Sequence, residues 1–186
     1  MRIVAGSHRG RRLQVPPGDA VRPTADRARE ALFNILAHAA WAEEPVLDGA
    51  RVLDAFCGSG ALGLEALSRG AASCVFMDAS PAVLECTRQN VATLDEEDRA
   101  TLLRADALKP PPARTPCTLA FLDPPYGKDC VAPALTALAA AGWFANGAVV
   151  VAESDHRDLI ETPGGFEVLD ERGYGHTRLS IWRHRK

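Results

Sequence analysis

The feature that most constrains the fold of this chain is an alternation of short apolar runs with helical patterns. Five runs have the length and composition of buried strands, at about residues 51–55, 73–78, 100–105, 117–122 and 147–153. Helical patterns separate them at about residues 60–70, 80–94 and 129–142. Because strands joined by helices form a parallel sheet covered on both faces, the sequence predicts an α/β fold with a doubly wound sheet.

Both ends of the chain depart from this alternation. Two late strands, at about 165–170 and 176–182, flank Gly173-Tyr174-Gly175 and predict a closing antiparallel hairpin. Near the start, apolar residues flank His8-Arg9-Gly10-Arg11 and predict a hairpin arm; they are Ile3, Val4, Leu13 and Val15. Thr24 is expected to cap a helix that runs from Ala25 to Trp41.

Length and composition favour one domain. The chain has 186 residues and 47% apolar content, enough for a substantial core, and contains no low-complexity tract. We expect residues 1–44 to form a basic arm and helix, and residues 45–186 to form the catalytic core.

A glycine-rich turn joins the first predicted strand to the helix that follows it. Gly58, Gly60 and Gly63 fit the pattern G-x-G-x-x-G, and Asp78 ends the next strand twenty residues after Gly58. This is the spacing of a dinucleotide site, so a NAD-binding Rossmann oxidoreductase is one alternative. Asp54 favours another ligand, because a carboxylate ahead of the turn repels a pyrophosphate and attracts the two cationic centres of S-adenosylmethionine.

We therefore assign the turn to S-adenosylmethionine, with Asp54 near the methionine end and Asp78 on the ribose hydroxyls. The residues expected to contact this cofactor are Asp54, Phe56, Gly58, Ser59, Gly60 and Asp78. A glycine turn that serves only close packing of helix on strand is the structural alternative.

The tetrad Asp123-Pro124-Pro125-Tyr126 follows the fourth predicted strand. The carboxyl ends of strands are where open α/β sheets bind ligands. The prolines remove two amide donors, so a carboxylate and a carbonyl are left to accept both hydrogens of an exocyclic amine, and Tyr126 offers a ring for stacking. The tetrad is predicted to clamp a nucleobase amine, with an ordinary turn after a strand as the alternative.

The net charge of −3 is unevenly distributed. Residues 1–30 carry seven arginines against three acids, and residues 171–186 carry five Lys or Arg against one acid, so each end has a charge of +4. Such ends favour binding to RNA phosphates, although basic termini also serve solubility alone. The candidate RNA-binding residues are Arg2, Arg9, Arg11, Arg12 and Arg22.

The remaining signals predict a cytoplasmic protein without a metal. The sequence has no apolar run of membrane-spanning length and no apolar stretch for a signal peptide at its start. Its five cysteines include no C-x-x-C pair and indicate reduced thiols, and its five histidines share no ligand spacing with acids or cysteines.

Taken in order, the motifs resemble those of the bacterial small-subunit rRNA guanine-N2 methyltransferases of the RsmD type. The resemblance covers nearly the whole chain, through Arg2-Ile3-Val4-Ala5-Gly6, Arg9-Gly10-Arg11, Arg22-Pro23-Thr24-Ala25-Asp26-Arg27, the glycine turn and the Asp123 tetrad. It implies a Rossmann-like sheet of the class I S-adenosylmethionine-dependent methyltransferase type. It also implies that Asp106 accepts the adenine amine of the cofactor and that the Ala107 amide donates to the adenine ring, although Asp106 fits equally well as the cap of a short helix.

The function expected from this resemblance is methyl transfer to the exocyclic N2 of a guanine in 16S rRNA. The transfer is direct, with alignment and acceptor placement supplied by the tetrad and no metal or covalent intermediate. The partner implied is the 16S rRNA of an assembling small subunit, and no obligate protein partner is implied. Adenine-N6 methylation of a nucleic acid stays open because the same tetrad serves it; a plain RNA-binding module would leave the glycine turn and the tetrad unexplained.

Overall fold

The computed structural model describes residues 1–16, 23–42, 45–125, 129–158 and 160–186. Within these ranges the strands are β1 (Arg51–Ala55), β2 (Ser73–Asp78), β3 (Ala100–Arg104), β4 (Cys117–Leu122), β5 (Phe144–Asp155), β6 (Phe166–Tyr174) and β7 (Thr177–His184). The helices are α1 (Pro23–Ala37), α2 (Ala61–Ser68), α3 (Pro81–Thr93) and α4 (Val131–Ala140), with a 3₁₀ turn at Glu97–Arg99.

The strands form one sheet in the order β3-β2-β1-β4-β5-β7-β6. Neighbours from β3 to β5 are parallel, whereas β7 is antiparallel to both β5 and β6. The predicted doubly wound sheet and closing hairpin are therefore confirmed. The direction of winding reverses between β1 and β4, which creates the crevice where such sheets bind ligands.

Two apolar layers cover the sheet. On one face, α1, α2 and α3 pack on alternate strand residues such as Phe76, Phe121 and Val151. On the other face, α4 packs on the intervening residues, including Leu122 and Ala152. This alternation follows from the period of two in a strand, and it explains why the central strands carry apolar residues on both faces.

The N-terminal arm is the predicted hairpin, docked on the α2 side of the sheet. The Ile3 amide donates to the Arg11 carbonyl at 2.9 Å, and the Gly10 amide donates to the Ile3 carbonyl at 2.9 Å. Ile3 and Leu13 join the same apolar layer as α1 and α2. Gly6, with φ of 81°, approaches α2 so closely that a Cβ would lie 1.8 Å from the Ser68 carbonyl oxygen, so this position requires glycine.

Several predicted boundaries are wrong in the first helix and the last turn. Helix α1 begins at Pro23, so Thr24 lies inside the first turn instead of capping it; proline suits this position because its φ is already helical. The helix ends at Ala37 and not at Trp41, because the chain turns and Trp41 packs against the core. Gly173 and Tyr174 pair with β7, so the last hairpin turns at Gly175 and His176.

The chain that follows β3 corrects a further expectation. Asp106 lies in a turn and not at the start of a short helix. Its Oδ1 accepts from the Leu108 amide at 2.9 Å and its carbonyl accepts from the Lys109 amide at 2.9 Å. These two bonds close the turn locally, so no helix is needed to satisfy the amides. In the described part of the chain no helix is long and apolar enough to cross a membrane.

Candidate active site

Four neighbouring strands reach the same level at the carboxyl edge of the sheet. Their paired residues at this level are Met77 on β2, Ala55 on β1, Leu122 on β4 and Ala152 on β5. The next residue on each strand is Asp78, Phe56, Asp123 and Glu153, respectively. Three acids and one phenylalanine that are far apart in the sequence thus form one row across the crevice at which the winding reverses. We call these four residues the edge row.

The glycine turn stands above the end of β1. Phe56 and Gly58 both have left-handed backbones, with φ of 59° and 56°, and Gly60 ends the turn with φ of 77° before α2 begins. A Cβ on Gly63 would lie 2.4 Å from the Phe76 ring, so the third glycine permits α2 to pack on β2. A left-handed phenylalanine is unusual, and such strain is typical of functional turns.

Asp54 lies beneath this turn and is only 1% exposed. Its Oδ2 accepts from the Gly63 amide at 2.9 Å. Burial raises the pKa of Asp54 to about 8, the Gly63 hydrogen bond opposes this rise, and the charge of Asp78 adds to it. A cation that binds near this buried carboxyl group favours its ionised form and so lowers its pKa. Its predicted position by the methionine end of a cofactor stays a prediction.

Helix α3 supports the glycine turn from below through two buried polar side chains. Thr87 Oγ1 donates to the Gly58 carbonyl at 2.8 Å, and Asn90 Nδ2 donates to the Ser59 carbonyl at 2.8 Å. Because these carbonyls are held from inside the protein, the opposite side of the turn is left to face the crevice. Met1 also contacts the turn, with its Sδ 3.3 Å from Ser59 Oγ.

Asp78 lies at the end of β2, as predicted, and its contact with a ribose stays a prediction. Its Oδ1 accepts from the Ser80 amide at 2.8 Å, and the Ser80 hydroxyl in turn accepts from Val83 at the start of α3. The Asp106 turn lies beside it, since the Ala105 amide donates to the Asp78 carbonyl at 3.1 Å. Ala107 in that turn is buried and Asp106 is exposed. The structure thus brings two of the three predicted cofactor acids, Asp78 and Asp106, to one end of the edge row.

The tetrad follows β4 as predicted. Asp123 is exposed, Pro124 is buried and Pro125 is exposed, whereas Tyr126 lies outside the described residues. A residue before proline is restricted to extended conformations, so Asp123 continues the direction of β4. The carboxylate therefore stands on the edge row one strand from the glycine turn.

Comparison with known proteins identifies the family. A family model described as "Conserved hypothetical protein 95" matches residues 1–183. The ribosomal RNA small subunit methyltransferase D of Escherichia coli (strain K12) is 36% identical over 98% of this chain and 89% of its own length. The chain belongs to the methyltransferase D family. The predicted resemblance and the predicted class of enzyme, a methyltransferase, are confirmed.

Solved structures agree with this membership. The Escherichia coli protein yhhF has 34% identity and a TM-score of 0.82, and the match covers 100% of this chain and 98% of that one. The magnesium protoporphyrin IX methyltransferase of Synechocystis PCC 6803, solved with bound SAM, matches at 14% identity with a TM-score of 0.65 over 91% of this chain and 87% of its own. At that identity the likeness concerns the fold, which is the class I methyltransferase fold predicted from the sequence.

In this methyltransferase D family member, the predicted RNA-binding arginines lie on the arm. Arg2, Arg9, Arg11 and Arg12 are all exposed, and the Arg11 guanidinium also donates to the Thr93 carbonyl. Arg22 lies outside the described residues. The arm is held by buried Glu65 on α2, which accepts from the Val4 and Ala5 amides at 2.7 and 3.0 Å, so its arginines are presented on an ordered element.

The C-terminal basic residues are engaged with close neighbours. Arg185 pairs with Glu167 at 2.8 Å, and Arg172 pairs with Asp170 at 3.1 Å. Arg178 and Arg183 donate to main-chain carbonyls. Much of this charge is offset locally, so the arm carries the stronger candidate surface for phosphates.

Three residues of the site were missed by sequence reasoning: Thr87, Asn90 and Glu153. Thr87 and Asn90 are polar residues on the buried side of α3, three positions apart, and this spacing was a signal that they share a face. Glu153 interrupts an apolar strand near its end. No local pattern shows that it stands beside Asp123, because that depends on the pairing of β5 with β4.

Proposed function

We propose that this protein transfers a methyl group from S-adenosylmethionine to the exocyclic N2 of a guanine in the 16S rRNA of the small ribosomal subunit. The observation that carries the proposal is the edge row, in which Asp78, the glycine turn and Asp123 follow one another across the crevice. A ribose acceptor and an amine acceptor on one rigid edge suit a reaction that brings two ligands together. The name of the Escherichia coli relative supports rRNA as the substrate.

The geometry supports the following contacts with the cofactor. Asp78 would accept the ribose hydroxyls, Phe56, Gly58, Ser59 and Gly60 would line the methionine side, and Asp54 would supply negative charge beneath it. The Asp106 carboxylate and the Ala107 amide would hold the adenine. S-adenosylmethionine supplies an electrophilic methyl group on a sulfonium, and the protein's task is to hold that end beside the tetrad.

The tetrad would hold the target amine. The lone pair of that nitrogen is delocalised into the guanine ring, so attack on the methyl group requires a more tetrahedral nitrogen. Asp123 and the Pro124 carbonyl would accept its two hydrogens and favour that geometry, Pro125 would keep the backbone rigid, and Tyr126 would stack on the base. The base must leave its stack to reach this edge, which is easier in an RNA loop than in a duplex.

Recognition of the RNA would rest on the arm. Arg2, Arg9, Arg11 and Arg12, with Arg22 of the same segment, would contact phosphates and position the RNA, while the base pocket selects the nucleotide. We place this interaction on an assembling small subunit, where the target is still accessible.

Incubation with labelled S-adenosylmethionine and undermethylated small subunits, followed by digestion to nucleosides, tests the proposal. N2-methylguanine is the expected product, and 23S rRNA and duplex DNA serve as comparison substrates. N6-methyladenine as the main product would replace guanine by adenine as the target. Calorimetry with S-adenosylhomocysteine and with NADH distinguishes a methyltransferase from a NAD-binding oxidoreductase. Binding of NADH without binding of S-adenosylhomocysteine would indicate an oxidoreductase.

A further inference from the structure

Glu153 stands next to Asp123 on the edge row, and the proposed function assigns it no task. The pairing of Leu122 with Ala152 sets the two acids side by side on adjacent parallel strands, whose spacing is about 4.8 Å. Val151, two residues before Glu153, packs in the layer under α1 and α2, as does Phe121, two residues before Asp123. Since side chains alternate along a strand, Glu153 lies on that same face, and Asp123, whose backbone continues the extended direction of β4 before Pro124, starts from it as well.

The Glu153 side chain extends toward the carboxyl edge and toward β7, which flanks β5 on the side away from β4. Its backbone partner on β7 is Leu179, but its Oε1 accepts from the hydroxyl of Thr177 at 3.5 Å. Thr177 is the first residue of β7 and lies closer to that edge than Leu179. Glu153 is half-buried and sits inside β5, which continues to Asp155. It is therefore a hydrogen-bond acceptor on the rigid strand next to the one that ends at the amine clamp.

The chemistry of the purine ring gives such an acceptor a task. In guanine the N1–H donor is adjacent to the N2 amine. A guanine whose amine is held by Asp123 therefore presents N1–H as a second donor on the same edge of the base. Adenine has an acceptor at N1, whose lone pair is repelled by a carboxylate. A carboxylate that neighbours the amine clamp therefore favours guanine and disfavours adenine.

We infer that Glu153 selects guanine by accepting the N1–H of the target base. This inference rests on the proposed function, because it requires a purine amine at Asp123. It assigns the choice between guanine-N2 and adenine-N6 chemistry, which the tetrad leaves open, to a side chain of the neighbouring strand.

The test compares guanine with 2-aminopurine at the methylated position of reconstituted small subunits. 2-Aminopurine keeps the 2-amine but has an acceptor at N1. The wild-type protein is expected to prefer guanine by roughly tenfold or more in kcat/KM. Glu153→Gln is expected to reduce this preference by about tenfold, because a carboxamide can rotate to donate to N1 of the analogue. The preference is a ratio within one variant, so a smaller folded fraction does not change it.

Glu171→Gln is the matched control. Glu171 also accepts from a β7 hydroxyl, that of Ser180 at 3.3 Å, but it lies on β6 away from the edge row. Glu171→Gln should leave the preference for guanine at the wild-type value. Glu153→Asp, which keeps a carboxylate, should retain part of the preference that Glu153→Gln loses. An unchanged preference in Glu153→Gln, with guanine still methylated, would overturn the inference and leave the proposed function intact. Absence of guanine methylation by the wild-type protein would refute both the role of Glu153 and the proposed function.

Discussion

The side-chain amide of Asn90 forms hydrogen bonds with both the backbone N–H and the carbonyl of Gln14, a residue 76 positions earlier in the chain. Asn90 Oδ1 accepts from the Gln14 amide at 2.7 Å, and Nδ2 donates to the Gln14 carbonyl at 2.9 Å. The same Nδ2 donates to the Ser59 carbonyl in the glycine turn at 2.8 Å. One buried amide thus joins the arm that presents the arginines to the turn that faces the crevice.

Replacing Asn90 by alanine should therefore weaken cofactor binding as well as the fold. The change leaves the Gln14 amide and carbonyl and the Ser59 carbonyl without this partner, and each such group costs about 1–3 kcal/mol when buried. We expect a loss of about 2–3 kcal/mol in the free energy of unfolding and a severalfold loss of affinity for S-adenosylhomocysteine, measured by denaturant titration and calorimetry.

Ser68→Ala is the control for this prediction. Ser68 is also buried and also holds the arm, since its hydroxyl donates to the Ala5 carbonyl at 2.6 Å and accepts from the His8 amide at 3.0 Å. It makes these contacts from α2, outside the turn. This variant should lose stability but keep its affinity for S-adenosylhomocysteine. Equal losses of affinity in both variants would show that Asn90 acts only through stability.

Asp54→Asn should stabilise the ligand-free protein at alkaline pH. The folded-state pKa of Asp54 is raised to about 8 from 3.8, so the folded protein holds a proton that the unfolded chain releases. The free energy of unfolding therefore falls as the pH rises from about 4 to about 8, because the unfolded chain releases this proton in that range whereas the folded protein still holds it. The melting temperature of the variant should exceed that of the wild type at pH 8, with the difference shrinking toward pH 4.

The same variant should lose affinity for the positively charged cofactor. A cation near Asp54 is stabilised by the ionised carboxylate, and asparagine keeps the hydrogen bond to Gly63 without the charge. We expect weaker binding of S-adenosylmethionine relative to S-adenosylhomocysteine, whose sulfur is uncharged, measured by calorimetry at pH 8. An unchanged ratio of the two affinities would place the sulfonium away from Asp54.

Asp123→Ala should reduce methyl transfer by roughly a hundredfold or more while cofactor affinity stays within a few-fold of wild type. This is the scale for removal of one preorganised acceptor at the reacting group. Single-turnover rates with small subunits measure the first effect and calorimetry measures the second. The control is Asp98→Ala, an exposed acid in the 3₁₀ turn ahead of β3 at the opposite edge of the sheet. Transfer at the wild-type rate in Asp123→Ala would refute the amine clamp.

Replacing Arg9, Arg11 and Arg12 together by alanine should weaken RNA binding and flatten its dependence on salt. Each arginine that neutralises a phosphate contributes about 0.7–0.9 to the slope of log K against log salt, so the triple variant should have a slope smaller by about 2–3. Filter binding over a range of salt concentrations measures it, and S-adenosylhomocysteine affinity should be unaffected. Arg172 and Arg185, which pair with acids on the last hairpin, form a control pair whose replacement should change the slope much less.

The amino-acid sequence alone determined the order of elements and the position of both motifs. The glycine turn before α2 and the tetrad after β4 were predicted because each depends on residues adjacent in the chain, whose φ preferences and apolar spacing act locally. The end of α1 at Ala37 was not predicted because it depends on the packing of Trp41 against the core. At Asp106 the local hydrogen bonds close a turn, which the sequence pattern did not distinguish from a helix cap.

Only the tertiary structure decided which distant residues meet. The pairing of β4 with β5 sets Glu153 beside Asp123, and the packing of α3 against the arm sets Asn90 against Gln14. The burial that raises the pKa of Asp54 likewise comes from the turn and helix folded over it. A strand register or a helix contact is selected by the sum of many side chains across the sheet, so no local stretch of sequence encodes it.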